Sequence, residues 1–162
     1  MHIVVMGVSG CGKSSLGAAL AERLGIPFFE GDALHPPANV EKMRSGSPLT
    51  DDDRWPWLTR VAQSLSDHPA AIVSCSALKR SYRDHIREGA GEVNFIHLAG
   101  SRDSLAERMQ ARPGHYMPVS LLDSQLATLE APGADEAITI DIALPPDAAL
   151  AAALDYLKGT TP

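Results

Sequence analysis

Short apolar runs alternate along this chain with segments whose apolar residues recur every three or four positions. The run His2 to Met6 is nearly all apolar, as a parallel strand buried on both faces must be. Leu16, Leu20 and Leu24 share one stripe, which predicts a helix from Lys13 to Leu24 with Gly25 as its stop. Further strands are predicted over 27–30, 70–75, 93–98 and 137–142. Thr50 with Asp53 three residues on makes a capping box, so a helix is expected from Asp51 to Ser66. Ser101 is expected to cap a helix through Gln110. Ser120 with Asp123 reads as another capping box. Pro145 and Pro146 suit the first turn of a last helix ending near Lys158. Strands separated by helices predict an α/β fold, a parallel sheet covered on both faces.

The chain has 162 residues, 44% hydrophobic and 21% charged, which fits one soluble domain. Its net charge of −6 is unevenly spread. Residues 1–112 hold 13 basic and 13 acidic residues, whereas 113–162 hold Lys158 against seven acidic ones. A nucleic-acid binder shows a basic face, so no nucleic-acid partner is expected. Cys11 and Cys75 form no C-x-x-C pair and match no zinc spacing. No stretch approaches the ~20 apolar residues of a membrane span. A cytoplasmic protein without a membrane partner is the expectation.

Gly7-Val8-Ser9-Gly10-Cys11-Gly12-Lys13-Ser14 fits G-x-x-x-x-G-K-[ST] at every fixed position, directly after a strand and opening a helix. Glycines let backbone N–H groups turn inward around phosphate oxygens, and the helix N-terminus adds partial positive charge. Lys13 is expected to reach the β- and γ-phosphates of ATP, and the Ser14 hydroxyl to ligate Mg²⁺. Ser15 belongs to the same nucleotide-binding stretch. Cys11 reads as a small residue that fits the loop, although a helix N-terminus is a setting that activates thiols.

The segment after the second strand reads Glu30-Gly31-Asp32-Ala33-Leu34-His35-Pro36-Pro37-Ala38-Asn39, then Lys42-Met43. Pro48-Leu49-Thr50-Asp51-Asp52-Asp53-Arg54-Trp55-Pro56-Trp57-Leu58 follows, with Cys75-Ser76-Ala77-Leu78-Lys79, Tyr82-Arg83 and Arg112-Pro113-Gly114-His115-Tyr116-Met117 further on. With Leu121-Leu122-Asp123-Ser124-Gln125 and Leu129-Glu130, these blocks resemble the gluconate kinases from the first strand to about Ile142. The resemblance implies ATP-dependent phosphorylation of the 6-hydroxyl of D-gluconate. It also implies a P-loop NTPase fold similar to nucleoside monophosphate kinases: a five-stranded parallel sheet, one kinase domain over 1–162, a substrate-binding helical segment about 33–66 and a lid about 111–120. A homodimer is implied as well.

Asp32 is expected at the end of the second strand, where open parallel sheets place ligands. It would accept the proton of the attacking hydroxyl or organise Mg²⁺ through water. His35 is assigned to substrate hydroxyls, and Arg54 to the gluconate carboxylate or an adjacent hydroxyl, since a guanidinium grips carboxylates bidentately. Lys79 and Arg83, beyond the third strand, are assigned to the anionic substrates. The resemblance puts one of Arg108 and Arg112 on the adenine and the other near the transferring phosphoryl group, with His115 at the substrate. Trp55 and Trp57 read as packing residues. The third strand ends without a Walker-B aspartate, leaving Asp32 as the nearest candidate to support the metal. Shikimate kinase is disfavoured, because Gly31-Asp32-Ala33 is not D-x-D. A GTPase lacks its N-K-x-D motif here, and Gly7, Gly10 and Gly12 do not form the dinucleotide-binding G-x-G-x-x-G.

Overall fold

β1 (His2–Met6) lies at the centre of a five-stranded sheet, with β3 (Ala71–Ser74) and β4 (Asn94–Ala99) on either side. β2 (Phe28–Glu30) and β5 (Ala137–Asp141) form the edges, giving the order β2-β3-β1-β4-β5. Every pairing is parallel, with Ile3 opposite Ile72 on one side and Asn94 on the other. This computed structural model describes residues 1–111 and 119–160. The strands match their predicted ranges with ends shifted by no more than a residue.

Ile3, Val4, Val5 and Met6 are all 0% exposed, so both faces of the central strand are covered. The described helices are α1 (Lys13–Leu24), α2 (Pro37–Arg44), α3 (Asp51–Ser66), α4 (Arg80–Ala90), α5 (Arg102–Ala111), α6 (Ser120–Thr128) and α7 (Pro146–Thr160), of which α1, α3 and α7 pack on the strands. α1 packs with α7, and α3 with α4. α1 ends as expected: Gly25 is left-handed and its N–H reaches Ala21 O at 2.8 Å.

The capping box of α3 is formed in both directions, Asp53 N–H to Thr50 Oγ1 at 3.2 Å and Thr50 N–H to Asp53 Oδ2 at 2.8 Å. Leu58, Val61 and Leu65 are fully buried along the same helix. Each contributes on the order of 2 kcal/mol by leaving water, which fixes α3 against the sheet. α5 is capped by Ser101, whose Oγ accepts from the Ser104 N–H.

The capping box expected at Ser120 is not formed. Ser120 is already helical, Val119 stands at the cap position without a side-chain bond, and Asp123 instead accepts from Arg102 of α5 at 2.8 Å. The ion pair between helices outcompetes the local cap. The expected lid falls largely on Arg112–Pro118, outside the described residues, and so do Arg112 and His115. Among the described residues no helix is long and apolar enough to cross a membrane.

Candidate active site

The turn from β1 into α1 is closed by glycines where no side chain fits. Gly7 has φ +147°, and a Cβ there would lie 2.7 Å from both Leu98 O and Cys11 Sγ. Gly10 and Gly12 are left-handed at φ +84° and +91°. Cys11 is 2% exposed beneath this turn, a small residue that fits. Lys13 Nζ donates back to Val8 O at 3.0 Å, and Ser15 stands exposed on the first turn of α1. The N–H of Ser9 donates to Gln125 Oε1 on α6 at 2.8 Å, an attachment that no local pattern signals beyond the block containing Gln125.

The second strand ends on a joint that sequence reasoning missed. Glu30 Oε2 accepts from the Ser14 hydroxyl at 2.7 Å and from the Ser74 hydroxyl at 3.2 Å. Ser74 Oγ in turn accepts from the Gly31 N–H at 3.2 Å. A carboxylate from β2 thus reaches the P-loop serine, while β3 ends in a hydroxyl. The available signal was Glu30's place at the end of a strand, the same reasoning that singled out Asp32.

Asp32 follows in a 3-10 turn, Gly31–Leu34, and is exposed. His35 is buried and stacks on Trp57 with ring centroids 4.0 Å apart. The Asn39 amide Nδ2 donates to Asp53 O at 2.9 Å, which identifies it as the nitrogen. Its second hydrogen meets His35 Nδ1 at 3.2 Å, so Nδ1 is the acceptor and the neutral ring carries its proton on Nε2. Burial pushes the His35 pKa down to about 4; Asp32 pulls it up and Arg54 down by smaller amounts.

Arg54 is 9% exposed and donates to the Tyr82 hydroxyl at 2.9 Å. A cavity of ≈ 290 Å³ joins these pieces: Lys13, Ser14, Glu30, Asp32, His35 and Arg54 all line it. The P-loop residues Ser9, Gly10 and Gly12 line it too, as do Ser124 and Gln125.

Two assigned substrate ligands stand elsewhere. Arg83 is 1% exposed, and its donors are spent on protein acceptors. Nε meets Glu136 Oε1 at 2.6 Å, Nη1 meets Ala77 O and Leu78 O, and Nη2 meets Glu130 O and Glu136 Oε2. It holds the loop after β3 from behind, and no donor remains for an anion. Lys79 Nζ sits 3.4 Å from both Asp51 carboxylate oxygens and does not line the cavity.

Arg108 lies beside the P-loop: a Cβ on Gly12 would come within 3.9 Å of its Nη1, and its Nη2 donates to Ile142 O at 2.7 Å. With Gly100, Ser101 and Asp141 it borders a second hollow past the ends of β4 and β5. Among the described residues no cluster of three or more His, Cys, Asp or Glu side chains suits a metal.

A family model described as an AAA domain matches residues 3–132. The gluconokinase of Gluconobacter oxydans (strain 621H) is 55% identical over 140 residues, covering 84% of this chain and 79% of the relative. The crystal structure of a gluconokinase from Sinorhizobium meliloti 1021 superposes with a TM-score of 0.85 at 53% identity, covering 99% of this chain and 97% of that one. An unliganded sugar kinase from Janibacter sp. HTCC2649 superposes at 0.92 with 48% identity, covering 97% and 94%.

Proposed function

This chain, an AAA-domain protein over residues 3–132, belongs to the gluconokinase family, and from that premise we propose how its cavity serves the reaction. The protein is a kinase that phosphorylates gluconate with ATP. One observation carries the residue-level reading: a single cavity is lined by the phosphate-binding Lys13 and Ser14 and by the polar trio Asp32, His35 and Arg54.

In that reading the P-loop from Gly7 to Ser15 holds the phosphates, Lys13 neutralises charge on the β- and γ-groups, and Arg108 flanks the base. Arg54 takes the gluconate carboxylate, and His35 donates from Nε2 to a chain hydroxyl. The 6-hydroxyl oxygen then attacks the γ-phosphorus, its proton passes to Asp32, and ADP leaves. The transition state is loose, so Asp32 matters more for aiming the hydroxyl than for its base strength.

Mg²⁺ belongs to the same proposal. Ser14 Oγ and the Glu30 carboxylate, 2.7 Å apart, form an all-oxygen donor set of the kind that suits a hard cation. Ser14 would ligate the ion and Glu30 would hold Ser14 and the ion's waters. When bound, the ion neutralises charge on the β- and γ-phosphates. Glu30 therefore takes the supporting role that the sequence reading offered to Asp32.

We further propose a single kinase domain with an acceptor segment about 33–66 and a lid about 111–120, to which Arg112 and His115 belong. A homodimer is proposed on the same family ground, and a cytoplasmic location on the two unpaired cysteines.

ADP release with Mg-ATP, measured against D-gluconate, other aldonates, shikimate, AMP and no acceptor, tests the reading. Turnover with gluconate well above the rest, and a gluconate KM raised on the order of 10²-fold by Arg54→Lys with ATP KM unchanged, is the expected result. Preference for another acceptor would overturn the substrate, and an unchanged gluconate KM in Arg54→Lys would overturn the carboxylate assignment.

A further inference from the structure

Tyr82 takes no part in the proposed chemistry, yet of the two described tyrosines, Tyr82 and Tyr156, it is the more constrained. It lies in the first turn of α4 and is 1% exposed. Its hydroxyl accepts from Arg54 Nη1 at 2.9 Å and donates to Asp51 Oδ1. Trp55 meets the ring edge-on at 5.5 Å. The Arg54 guanidinium carbon lies 5.3 Å from the ring centroid, and Lys79 Nζ lies 5.6 Å from it.

The chemistry of the three groups fixes the direction of the chain. A guanidinium only donates, and an ionised carboxylate only accepts. The group between them must accept from one and donate to the other, which a neutral phenol does. Burial and the bond to Asp51 hold the Tyr82 hydroxyl neutral, with its pKa pushed up to about 12.

What the phenol prevents is as informative as what it joins. Arg54 Nη1 and Asp51 Oδ1 are 3.8 Å apart, beyond hydrogen-bond reach. Arg54 and Asp51 stand one helical turn apart on α3, a spacing at which ion pairs form readily. A buried guanidinium with a carboxylate so near would turn onto it bidentately if nothing intervened. The Tyr82 hydroxyl occupies that space. Lys79, 3.4 Å from both Asp51 oxygens, supplies the carboxylate with a cation that is not Arg54.

We infer that Tyr82 is a positioning residue for the acceptor: its hydroxyl aims Arg54 into the cavity and keeps Asp51 from capturing the guanidinium that the substrate carboxylate needs. The inference rests on the reading of Arg54 as the carboxylate ligand. Removing the hydroxyl leaves ring packing in place but lets Arg54 fall back on Asp51, so substrate must then compete with an internal carboxylate.

The test is steady-state kinetics of Tyr82→Phe, Arg54→Lys and the double variant Tyr82→Phe/Asp51→Asn, with thermal melting of each. Tyr82→Phe is expected to raise the gluconate KM roughly tenfold while leaving the ATP KM and the melting temperature near those of the parent. The double variant should recover most of that loss, because a neutral amide no longer competes for Arg54. If Arg54→Lys leaves the gluconate KM unchanged, the carboxylate reading falls and the role of Tyr82 falls with it. If Arg54→Lys raises KM and Tyr82→Phe does not, the carboxylate reading stands and Tyr82 is excluded. A rise in both KM values together with a lower melting temperature marks a structural role only. No recovery in the double variant overturns the capture by Asp51.

Discussion

Gly7 to Ser14 is one unbroken run whose Ser9, Gly10, Gly12, Lys13 and Ser14 line the phosphate side of the cavity, whereas the acceptor side joins Asp32 and His35, from the segment after β2, to Arg54 on α3. The phosphate side is a backbone device. Its shape comes from left-handed glycines and a helix start, and any side chain at Gly7 meets Leu98 O. The acceptor side is a side-chain device in which Asn39 orients His35, Tyr82 orients Arg54, and Asp53 ties α2 to α3 through Lys42 at 2.7 Å. A backbone device binds what every nucleotide has in common. A side-chain device selects one polar acceptor, and it can be altered a bond at a time.

The two sides meet at Glu30-Gly31-Asp32, and substitutions can show how separate they are. The largest effect is expected from Lys13→Met, which removes a charge acting on the transferring group. The kcat should fall about 10²–10³-fold, while the gluconate Kd, measured by calorimetry, changes little. A large loss of gluconate affinity would mean that the sides are not independent.

Gly31→Ala strikes the joint itself, since its Cβ would lie 1.8 Å from Ser74 O. Trp57 Nε1 also donates to Gly31 O at 2.8 Å, so the strain spreads to the acceptor side. A stability loss of about 2–4 kcal/mol in urea unfolding, with KM raised for both substrates, is expected.

The acceptor side should carry an acid limb through His35. His35 titrates near 6.5 when unfolded and near 4 when folded, so the unfolded state takes the proton first. Its effect is absent above pH 6.5. Stability then falls as pH drops from 6.5 to 4, by at most about 1.4 kcal/mol per unit, and levels below. His97 is also lowered, by burial first, so it too costs stability as pH falls below 6.5. The difference between the parent and His35→Gln in urea melts at pH 7, 6 and 5 isolates His35.

The smallest effect is expected at the helix that carries Arg54. Thr50→Ala breaks the capping box and should cost about 1 kcal/mol, or a few degrees in thermal melting, with both KM values unchanged. An altered gluconate KM would show that the cap sets the position of Arg54.

The same contrast governs what the sequence made legible. The P-loop could be read because its geometry is dictated by residues next to one another. The strands could be read because their apolar runs need no partner to be recognised. Arg83 could not, because spacing on α4 gives a shared face and says nothing of what covers it. Glu136, 53 positions away, turns that face into a buried ion pair. Lys79 was likewise claimed by Asp51, and Asp123 by Arg102 in place of a cap. Glu30 was overlooked for a related reason: its meeting with Ser14 and Ser74 depends on β3 lying between β2 and β1, a strand order that no local pattern encodes. Asp32, His35 and Arg54 were singled out through the family blocks, and all three line the cavity.

The stack of His35 on Trp57 has a spectroscopic consequence. An indole 4.0 Å from an imidazole is an emitter whose quenching rises on protonation, because an imidazolium quenches indole fluorescence far more than the neutral ring that His35 remains until about pH 4. The chain has one other tryptophan, Trp55, whose ring meets Tyr82. Both tryptophans therefore border the two rings that brace the acceptor side, and neither lies in the P-loop. Tryptophan emission is therefore expected to change more on adding gluconate than on adding ATP, which a titration of the unlabelled protein with each would measure.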